Sequence, residues 1–456
     1  MKLLLHEHDQ AQYWTLNLLL EQVKRVLPQY TSQRICLKRE REMEYQMSSY
    51  AGQGMDAKPR LLVVKGSFSV MGGAERDILR NLPFLKQLFT IQVATLDVVS
   101  ELELLCQELK FPLLKPNRYW EVPKDPLSII RDSATDSSLK FWKEIEGLDE
   151  AILESDMIHI ISGDGSLSII DLIPKSIPIH LHLLEPHRGL HEDVLHRKIN
   201  GKPKRNLTLT KALLSKARKR DISMIKKLSS REKSSISGNS KYTVSRIKEI
   251  YDIEAGLLWP SISFDEFSSE PQNDEKENFD EISKPYIVNI GRASWAKGTW
   301  ETISMLENTG LSMAHVGGGS SEEINQLISH AKSCNVTVWF APRLTQNELS
   351  GLLRGARASV SMAHGEPFGL TPIEAFSIGT PALFVNEGGF TDTITDSENG
   401  RLIDRSDTKE WVHALEQSSD IKIRKKWAES GKERIKSLNL TCDMHADRIF
   451  QIFEKF

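Results

Sequence analysis

From residue 60 onward, the chain alternates short apolar, β-branched runs with longer segments whose apolar residues recur every three or four positions. The first pattern is typical of buried strands and the second of amphipathic helices. In the first half, strands are predicted at 61–65, 89–96, 157–161 and 177–183, with a helix over 74–88 and another from Ser100. This alternation predicts an α/β fold in which helices cover a parallel sheet.

The same alternation resumes near residue 285, after a segment in which ten of the twenty residues from 265 to 284 are charged and no period is visible. Such a segment is typical of an interdomain linker. The pattern therefore predicts two doubly wound, Rossmann-like α/β domains that face each other across a cleft. The predicted units are an N-terminal helical extension (1–57, with a helix over 11–27), a first domain (58–264), a linker (265–284), a second domain (285–438) and a last helix (439–456) that packs back on the first domain.

Composition is consistent with this picture. The chain has 456 residues, a net charge of −3 and 27% charged residues, which describes an ordinary multidomain protein without a global bias toward nucleic acid or membrane. Its four cysteines are far apart, so they indicate neither a zinc site nor a disulfide framework, and a reducing cytoplasm fits best. The sequence contains no apolar run near the ~20 residues of a spanning helix. We expect a cytoplasmic protein that at most sits peripherally on the cytoplasmic membrane face.

Charge is concentrated in one place. Residues 197–233 contain fourteen Lys or Arg against two acids, Asp221 and Glu232. This basic segment could be a solvated helix face, or it could bind an anionic membrane surface or an anionic acceptor. Nucleic acid is the least favoured partner, because no aromatic residue interleaves these charges to stack on bases.

The most distinctive chemistry lies in segment 363–379. Its residues predict a short helix with Thr371 as N-cap, Glu374 at N3 and Gly379 as the C-terminal stop. The unpaired N–H groups of a first helical turn carry the positive end of the helix dipole. Gly369 beside them would let a ligand approach the backbone, so the segment predicts an anion site suited to phosphate.

Two acids, Glu366 and Glu374, stand eight positions apart around this helix start. Taken alone, Glu374 could be only a capping acid and Glu366 only a solvated loop charge. Together with the Pro-Phe-Gly-Leu-Thr-Pro between them, they resemble the E-x7-E segment of retaining glycosyltransferases of the GT-B fold, family 4 (glycosyltransferases group 1). The resemblance implies that Glu374 holds the ribose of a nucleotide and that Glu366 lies by the sugar ring. It further implies substrate contacts from Phe368, Gly369, Leu370 and Thr371.

Two glycine-containing loops extend the resemblance. Arg292 and Lys297, in the loop 291–298 after a predicted strand, match the family's Gly-Arg…Lys-Gly loop, in which both cations neutralise the donor diphosphate. Arg can fork two phosphate oxygens, whereas Lys supplies a point charge. Gly72 and Gly73 follow the first strand, where the family places a loop that faces the donor phosphates across the cleft. For Arg292 and Lys297, the structural alternative is a pair of loop charges without a ligand. For Gly72 and Gly73, it is a plain turn.

The segment after the strand 177–183 departs from the family pattern. Many members carry a His-Glu-Pro-Pro-Arg-like stretch there, and a histidine in this region contacts the transferred sugar. This chain has Leu184 in the slot before Glu185, surrounded by His180, His182 and His187. We take His182 as the candidate, with the choice among the three imidazoles left open.

The resemblance implies transfer of a hexose from a nucleotide diphosphate sugar to an acceptor hydroxyl with retention at the anomeric carbon. The acceptor would be a glycan or a lipid-linked molecule, in the synthesis of a glycolipid, a polysaccharide or a glycan precursor. No cofactor is expected beyond the nucleotide sugar as co-substrate. No Asp-x-Asp motif is present, so Arg292 and Lys297 are expected to replace a metal. The alternatives are a sugar-nucleotide epimerase of the same fold, with Glu185 as its proton shuttle, and a non-catalytic protein that binds anionic lipid or another polyanion.

Overall fold

The computed structural model of the protein describes residues 58–68, 72–123, 132–262 and 279–456. The predicted N-terminal extension (1–57), with its helix, and residues 265–278 of the predicted linker lie outside these ranges. Residues 279–284, the end of the predicted linker, are described. Their apolar side chains Phe279 and Ile282 are buried in the core of the second domain.

Within the described residues, the first domain is built on a seven-stranded parallel sheet with the order β3-β2-β1-β4-β5-β6-β7. Its strands are β1 (Arg60–Lys65), β2 (Thr90–Ala94), β3 (Leu113–Leu114), β4 (Met157–Ile161), β5 (Ile179–Leu183), β6 (Ser234–Gly238) and β7 (Gly256–Leu257). Its helices are α1 (Gly73–Leu88), α2 (Ser100–Leu109), α3 (Ser133–Lys143), α4 (Leu148–Glu154), α5 (Arg188–His191), α6 (Leu207–Leu213), α7 (Ser215–Ser229) and α8 (Lys241–Tyr251).

Burial on both faces explains why β1 has an uninterrupted apolar run between Arg60 and Lys65. In β1, Leu62 and Val64 point into one core layer, whereas Leu61 and Val63 point into the layer on the opposite face. All four side chains are at most 1% exposed. A strand covered by helices on both faces has no polar side, so it reads as a continuous hydrophobic run.

The second domain repeats the design with a six-stranded parallel sheet in the described residues, of order β10-β9-β8-β11-β12-β13. Its strands are β8 (Tyr286–Ile290), β9 (Ser312–Val316), β10 (Val338–Phe340), β11 (Ser359–Ser361), β12 (Ala382–Val385) and β13 (Arg401–Ile403). Its helices are α9 (Thr299–Met305), α10 (Ser321–Ser333), α11 (Gln346–Gly355), α12 (Thr371–Ile378), α13 (Phe390–Thr393), α14 (Thr408–Gln417) and α15 (Ile421–Leu438).

In each sheet the strand order reverses beside the first strand of the domain, which is the topological switch point of a doubly wound fold. The predicted fold class, two doubly wound α/β domains, is therefore confirmed. No helix in the described ranges is long and apolar enough to cross a bilayer.

The last helix, α16 (Cys442–Phe453), belongs spatially to the first domain. It packs on α1, and the rings of Phe450 and Phe453 have centroids 5.4 and 5.9 Å from that of Phe89. Where the chain returns from the second domain, the Leu440 carbonyl accepts a 2.7 Å hydrogen bond from the Ile262 amide. The two ends of the second domain are thus held side by side.

A buried aspartate also joins the domains. Asp392 in α13 is 2% exposed. Its Oδ2 accepts hydrogen bonds from the Lys241 amide at 2.8 Å and from Trp259 Nε1 at 3.1 Å, both in the first domain. A buried carboxylate with two donors is a stable junction, because either donor would be left unpaired if the domains separated.

Candidate functional site

The site is the cleft between the carboxyl ends of the two sheets, where open α/β folds bind ligands. Loops from both domains meet there. A Cβ added at Gly73, in the first domain, would lie 3.7 Å from Leu370 Cδ1 in the second. Arg188 Nη2, also from the first domain, donates to the His364 carbonyl at 2.6 Å. Residues far apart in sequence are therefore brought within contact distance.

The clearest feature of the cleft is an ion pair between two predicted catalytic residues. Lys297 Nζ lies 2.6 Å from Glu366 Oε2, with side-chain exposures of 33% and 18%. Lys297 ends a short 3-10 turn after β8, and Glu366 is in the loop after β11. The third predicted member, Arg292, is exposed in the same loop as Lys297. The structure thus brings the lysine and the glutamate together and leaves the arginine open to solvent.

Arg405, which lies just after β13, holds the loop that carries Glu366. The Arg405 guanidinium donates to the Met362 carbonyl at 2.6 Å and to the Ala363 carbonyl at 3.3 Å. It also pairs with Glu301 at 3.2 Å and with Glu387 at 2.8 Å. Charge-assisted bonds to two successive carbonyls hold this backbone in one conformation.

His364 anchors the same loop from the side. Its Nε2 lies 2.8 Å from Glu301 Oε2, and its ring stacks on Trp295 at a centroid distance of 4.8 Å. The His364 amide donates to the Ala296 carbonyl at 2.9 Å. The loops of Lys297 and Glu366 therefore form one unit, which fixes the distance between the two charged groups.

The helix after Glu366 begins one residue earlier than the sequence predicted. Leu370, not Thr371, is the N-cap of α12, and its carbonyl accepts from the Glu374 amide at 3.1 Å. Glu374 is thus at the fourth position of the helix rather than at N3, and the predicted capping box is wrong. The residue before α12 has no polar side chain to cap it, so the first-turn N–H groups remain available for an anion. Gly379, with φ of +85°, ends the helix as predicted.

Gly369 is required by the packing of the second domain. Its φ is +80°, and a Cβ there would lie 2.4 Å from Phe390 Cε1, a ring of the core. Phe368 is 3% exposed and belongs to the same core. Thr371 and Glu374 are half-buried beside it.

The glycine pair of the first domain sits at the start of α1. Gly72 is the N-cap, and its amide donates to Glu75 Oε2 at 3.0 Å. Gly73 is the first residue of the helix and lies opposite Leu370, as described above. Both glycines therefore line the first-domain side of the same cleft.

His182 is placed differently from the expectation. It is 2% exposed, and its Nε2 lies 3.0 Å from the Leu258 carbonyl. Its ring packs in a buried histidine cluster with His159, His180 and His445. Burial lowers the pKa of His159, His180 and His182 well below the ordinary value of a histidine, so these rings are neutral. The structure therefore makes His182 part of the core beneath the last helix, and of the three imidazoles only His187 is exposed.

Glu185 is an acid of the cleft. Burial raises its pKa to about 7, the Arg188 charge opposes this rise, and the negative charge of Glu366 adds to it. Glu185 lies near the loop that carries Glu366, because Arg188 Nε is 3.9 Å from Glu185 Oε2 and Arg188 Nη2 is bonded to the His364 carbonyl of that loop. Sequence reasoning missed the supporting residues Arg188 and Arg405, because the carbonyls that they bind in the loop of Glu366 are distant in sequence and leave no motif.

Solved structures share this architecture. Sucrose-phosphate synthase from Thermosynechococcus elongatus matches with a TM-score of 0.65 and 14% identity, over 87% of this chain and 99% of that one. A glycosyltransferase from Rickettsia africae matches with a TM-score of 0.61 and 16% identity, over 87% and 98%. Anabaena Alr3699/HepE in complex with UDP-glucose matches with a TM-score of 0.58 and 14% identity, over 87% and 100%. The fold is therefore of the GT-B type.

A family model matches part of the sequence. Residues 270–434 match Glycosyl transferases group 1. The α-1,3/1,6-mannosyltransferase alg-2 of Neurospora crassa is 34% identical over 107 residues, which is 23% of this chain and 22% of the relative. A glycogen synthase of Mycobacterium tuberculosis is 31% identical over 121 residues, 25% and 29% of the two chains. These alignments thus span less than a third of either relative.

Proposed function

We propose that the protein is a retaining hexosyltransferase that moves a sugar from a nucleotide diphosphate sugar to an acceptor hydroxyl. One observation carries the proposal: the Lys297–Glu366 pair, 2.6 Å apart, lies beside the uncapped start of α12 inside a group 1 glycosyltransferase domain. The nucleotide donor is supported by the Anabaena structures, which contain UDP or UDP-glucose.

The proposed chemistry follows from the charges. Departure of the nucleotide diphosphate places negative charge on its leaving oxygen, and fixed positive groups at that position stabilise the transition state. Arg292, Lys297 and the amides of residues 369–371 supply such groups. Their presence supports metal-independent turnover, because the cations take the part that a divalent metal takes elsewhere.

The two glutamates have separate parts in the proposal. Glu374, half-buried in the first turns of α12, would bind the ribose hydroxyls. Glu366 is held by Lys297 and by the rigid loop around His364, so it presents its carboxylate at a fixed position beside the sugar ring. Gly72 and Gly73 close the first-domain side of the donor site.

The test is to measure nucleotide release and the anomeric configuration of the product. Thermal-shift screening of UDP-, GDP- and ADP-linked hexoses first selects a donor, since a ligand at a hundred times its Kd stabilises a protein by about 2.7 kcal/mol. NMR of the product then gives the configuration. Sugar on an acceptor with retained configuration supports the proposal, and an inverted product contradicts it. Epimerised donor without nucleotide release would identify the epimerase alternative, whereas binding without reaction would favour a non-catalytic protein.

We propose in addition that the basic segment 197–233 attaches the protein to anionic membranes. Helix α6 within it has no buried residue, and Leu209 and Leu213 are 58% and 41% exposed on it. Residues four apart share a helix face, so these two leucines form an exposed apolar pair on a helix that also carries Lys211. A surface of this kind fits the boundary between lipid headgroups and acyl chains.

The basic segment also reaches the cleft. A Cβ added at Gly201 would lie 2.7 Å from the Trp295 ring, so this part of the first domain packs against the loop that carries Lys297. A membrane bound at this surface would lie beside the entrance to the site. This supports a lipid-linked acceptor over a soluble glycan.

Vesicle sedimentation tests the membrane proposal. We expect binding to anionic but not to neutral vesicles, lost in high salt, at about 1 kcal/mol per basic residue that reaches the surface. Replacement of Leu209 and Leu213 by Ser should weaken binding. The matched control is Leu153→Ser, a leucine that is 64% exposed outside the basic segment. Equal binding to neutral vesicles, or equal effects of the control, would contradict the proposal.

A further inference from the structure

Glu185 occupies a position that the proposed donor chemistry does not use. It follows β5 by two residues, and the backbone before it is held by a 2.9 Å bond from the Leu184 amide to Ser162 Oγ. Its side chain is 42% exposed to the cleft, but its Oε2 is buried and has no hydrogen-bond partner among the described residues. A buried carboxylate oxygen without a donor is costly unless a ligand or a proton satisfies it.

The nearby cation does not neutralise Glu185. Arg188 Nε is 3.9 Å from Glu185 Oε2 but only 2.9 Å from Glu192 Oε2. The Nη2 of the same guanidinium is bonded to the His364 carbonyl across the cleft. Arg188 is therefore engaged by Glu192 and by the second domain, which leaves the Glu185 carboxyl as a weakly paired acid.

The two acids, Glu185 in the first domain and Glu366 in the second, differ in their availability. Glu366 is engaged by Lys297 at 2.6 Å. Oε2 of Glu185 has no hydrogen-bond partner among the described residues. Burial, together with the negative charge of Glu366, raises the pKa of the Glu185 carboxyl to about 7. A general base is most effective when its pKa is near the working pH. Two acids in contrasting environments can therefore have distinct roles.

We propose that Glu185 is the residue that accepts the proton of the attacking hydroxyl, an assignment that rests on the proposed glycosyltransferase function. The acceptor O–H bond breaks, and its proton goes to the Glu185 carboxylate. The acceptor oxygen bonds to the anomeric carbon on the same face from which the diphosphate departs, so the configuration is retained. The bond from that carbon to the diphosphate oxygen breaks at the same time, and the diphosphate leaves with the electron pair. Glu185 then releases the proton to solvent through its exposed face.

The test compares pH profiles of nucleotide diphosphate release for the wild type, Glu185→Gln and Glu192→Gln. The donor is the nucleotide sugar that raises the wild-type Tm most, with water as the acceptor, since a base that acts on a hydroxyl also acts on water. We expect kcat of the wild type to fall tenfold per pH unit below about 7. In Glu185→Gln, kcat should fall by about 10²-fold or more and lose this dependence, while the donor-induced shift in Tm remains.

Glu192→Gln is the matched control, since the same substitution is made seven residues further along the chain, at the other acid that pairs with Arg188. It removes a negative charge and frees Arg188 to pair with Glu185, so the Glu185 carboxyl ionises more readily. In Glu192→Gln, the fall in kcat on the acidic side of the pH profile (the acidic limb) should therefore move to lower pH without disappearing. A purely structural role for Glu185 would leave the limb in place in Glu185→Gln.

The outcomes are distinguishable. If the wild type releases nucleotide and Glu185→Gln keeps its kcat and its acidic limb, the assignment of Glu185 is wrong and the proposed function stands. If the wild type neither binds nor cleaves any nucleotide sugar, the proposed function is wrong and the assignment with it. If the wild type epimerises the donor without releasing nucleotide, Glu185 does not serve glycosyl transfer.

Discussion

Replacing His182 by Gln tests the position of this residue in the core. His159, His180 and His182 are buried and neutral, because burial holds the pKa of each well below the value of about 6.5 that a histidine has in the unfolded chain. Below pH 6.5 the unfolded state therefore binds more protons than the folded state. Stability is fully present above that pH and is lost as the pH falls.

The size of the effect follows from linkage. Each histidine that stays neutral in the fold and is protonated in the unfolded chain lowers the free energy of unfolding by about 1.4 kcal/mol per pH unit. The three together give a slope of about 4 kcal/mol per unit, enough to unfold a domain of ordinary stability within a few units. Gln at position 182 can still donate to the Leu258 carbonyl in place of Nε2, so the variant should fold. Its free energy of unfolding should depend less steeply on pH than that of the wild type, by about 1.4 kcal/mol per pH unit.

Urea unfolding between pH 5 and 7.5, followed by tryptophan fluorescence, measures this slope. Trp259 is a suitable probe, because its carbonyl accepts from His445 Nδ1 at the edge of the histidine cluster. His413→Gln, an exposed histidine, is the control and should keep the wild-type slope. An unchanged slope in His182→Gln refutes the reasoning. A hundredfold loss of kcat at pH 7.5 in folded His182→Gln would also refute the reasoning, because it would place the His182 imidazole against the sugar.

Three further predictions concern the cleft and the domain junction. Glu366→Gln should lower kcat by about 10²-fold, whereas Glu374→Gln should chiefly raise the donor KM; steady-state kinetics with unchanged constants in both would remove the roles proposed for them. Turnover should persist in excess chelator, and activity that magnesium or manganese restores would contradict the metal-independent mechanism. Asp392→Ala should destabilise the protein by about 3 kcal/mol, measured by urea unfolding, because the Lys241 amide and Trp259 Nε1 lose their acceptor.

The fold could be predicted because its signals are local. The mainly apolar runs of β1, β4 and β12 and the amphipathic segments between them define a parallel α/β fold without knowledge of any long-range contact. The start of α12 was misplaced by one residue, because Thr371 and Glu374 fit a capping box that the helix does not form. Propensities locate a helix better than they locate its first residue.

The site could be predicted only in part, for a physical reason. Glu366 and Lys297 stand out by their motifs, but their 2.6 Å contact joins positions 69 residues apart and depends on how two loops pack. His182 has an unremarkable strand-end position in the sequence. Its burial is completed by His445, which approaches only because the last helix returns to the first domain. Burial of this kind is a tertiary property that no single segment encodes.

The bond between the Ile262 amide and the Leu440 carbonyl constrains how the cleft can open. Ile262 is the last described residue of the first domain before the second domain, and Leu440 precedes the helix that returns to the first domain. Because these two segments are bonded to each other, we expect this part of the domain boundary to move least when the domains separate. The contacts of Arg188 with His364 and of Gly201 with Trp295 instead join the two domains beside the cleft. Opening of the cleft for substrate entry would therefore break these contacts and could leave the Ile262–Leu440 bond intact.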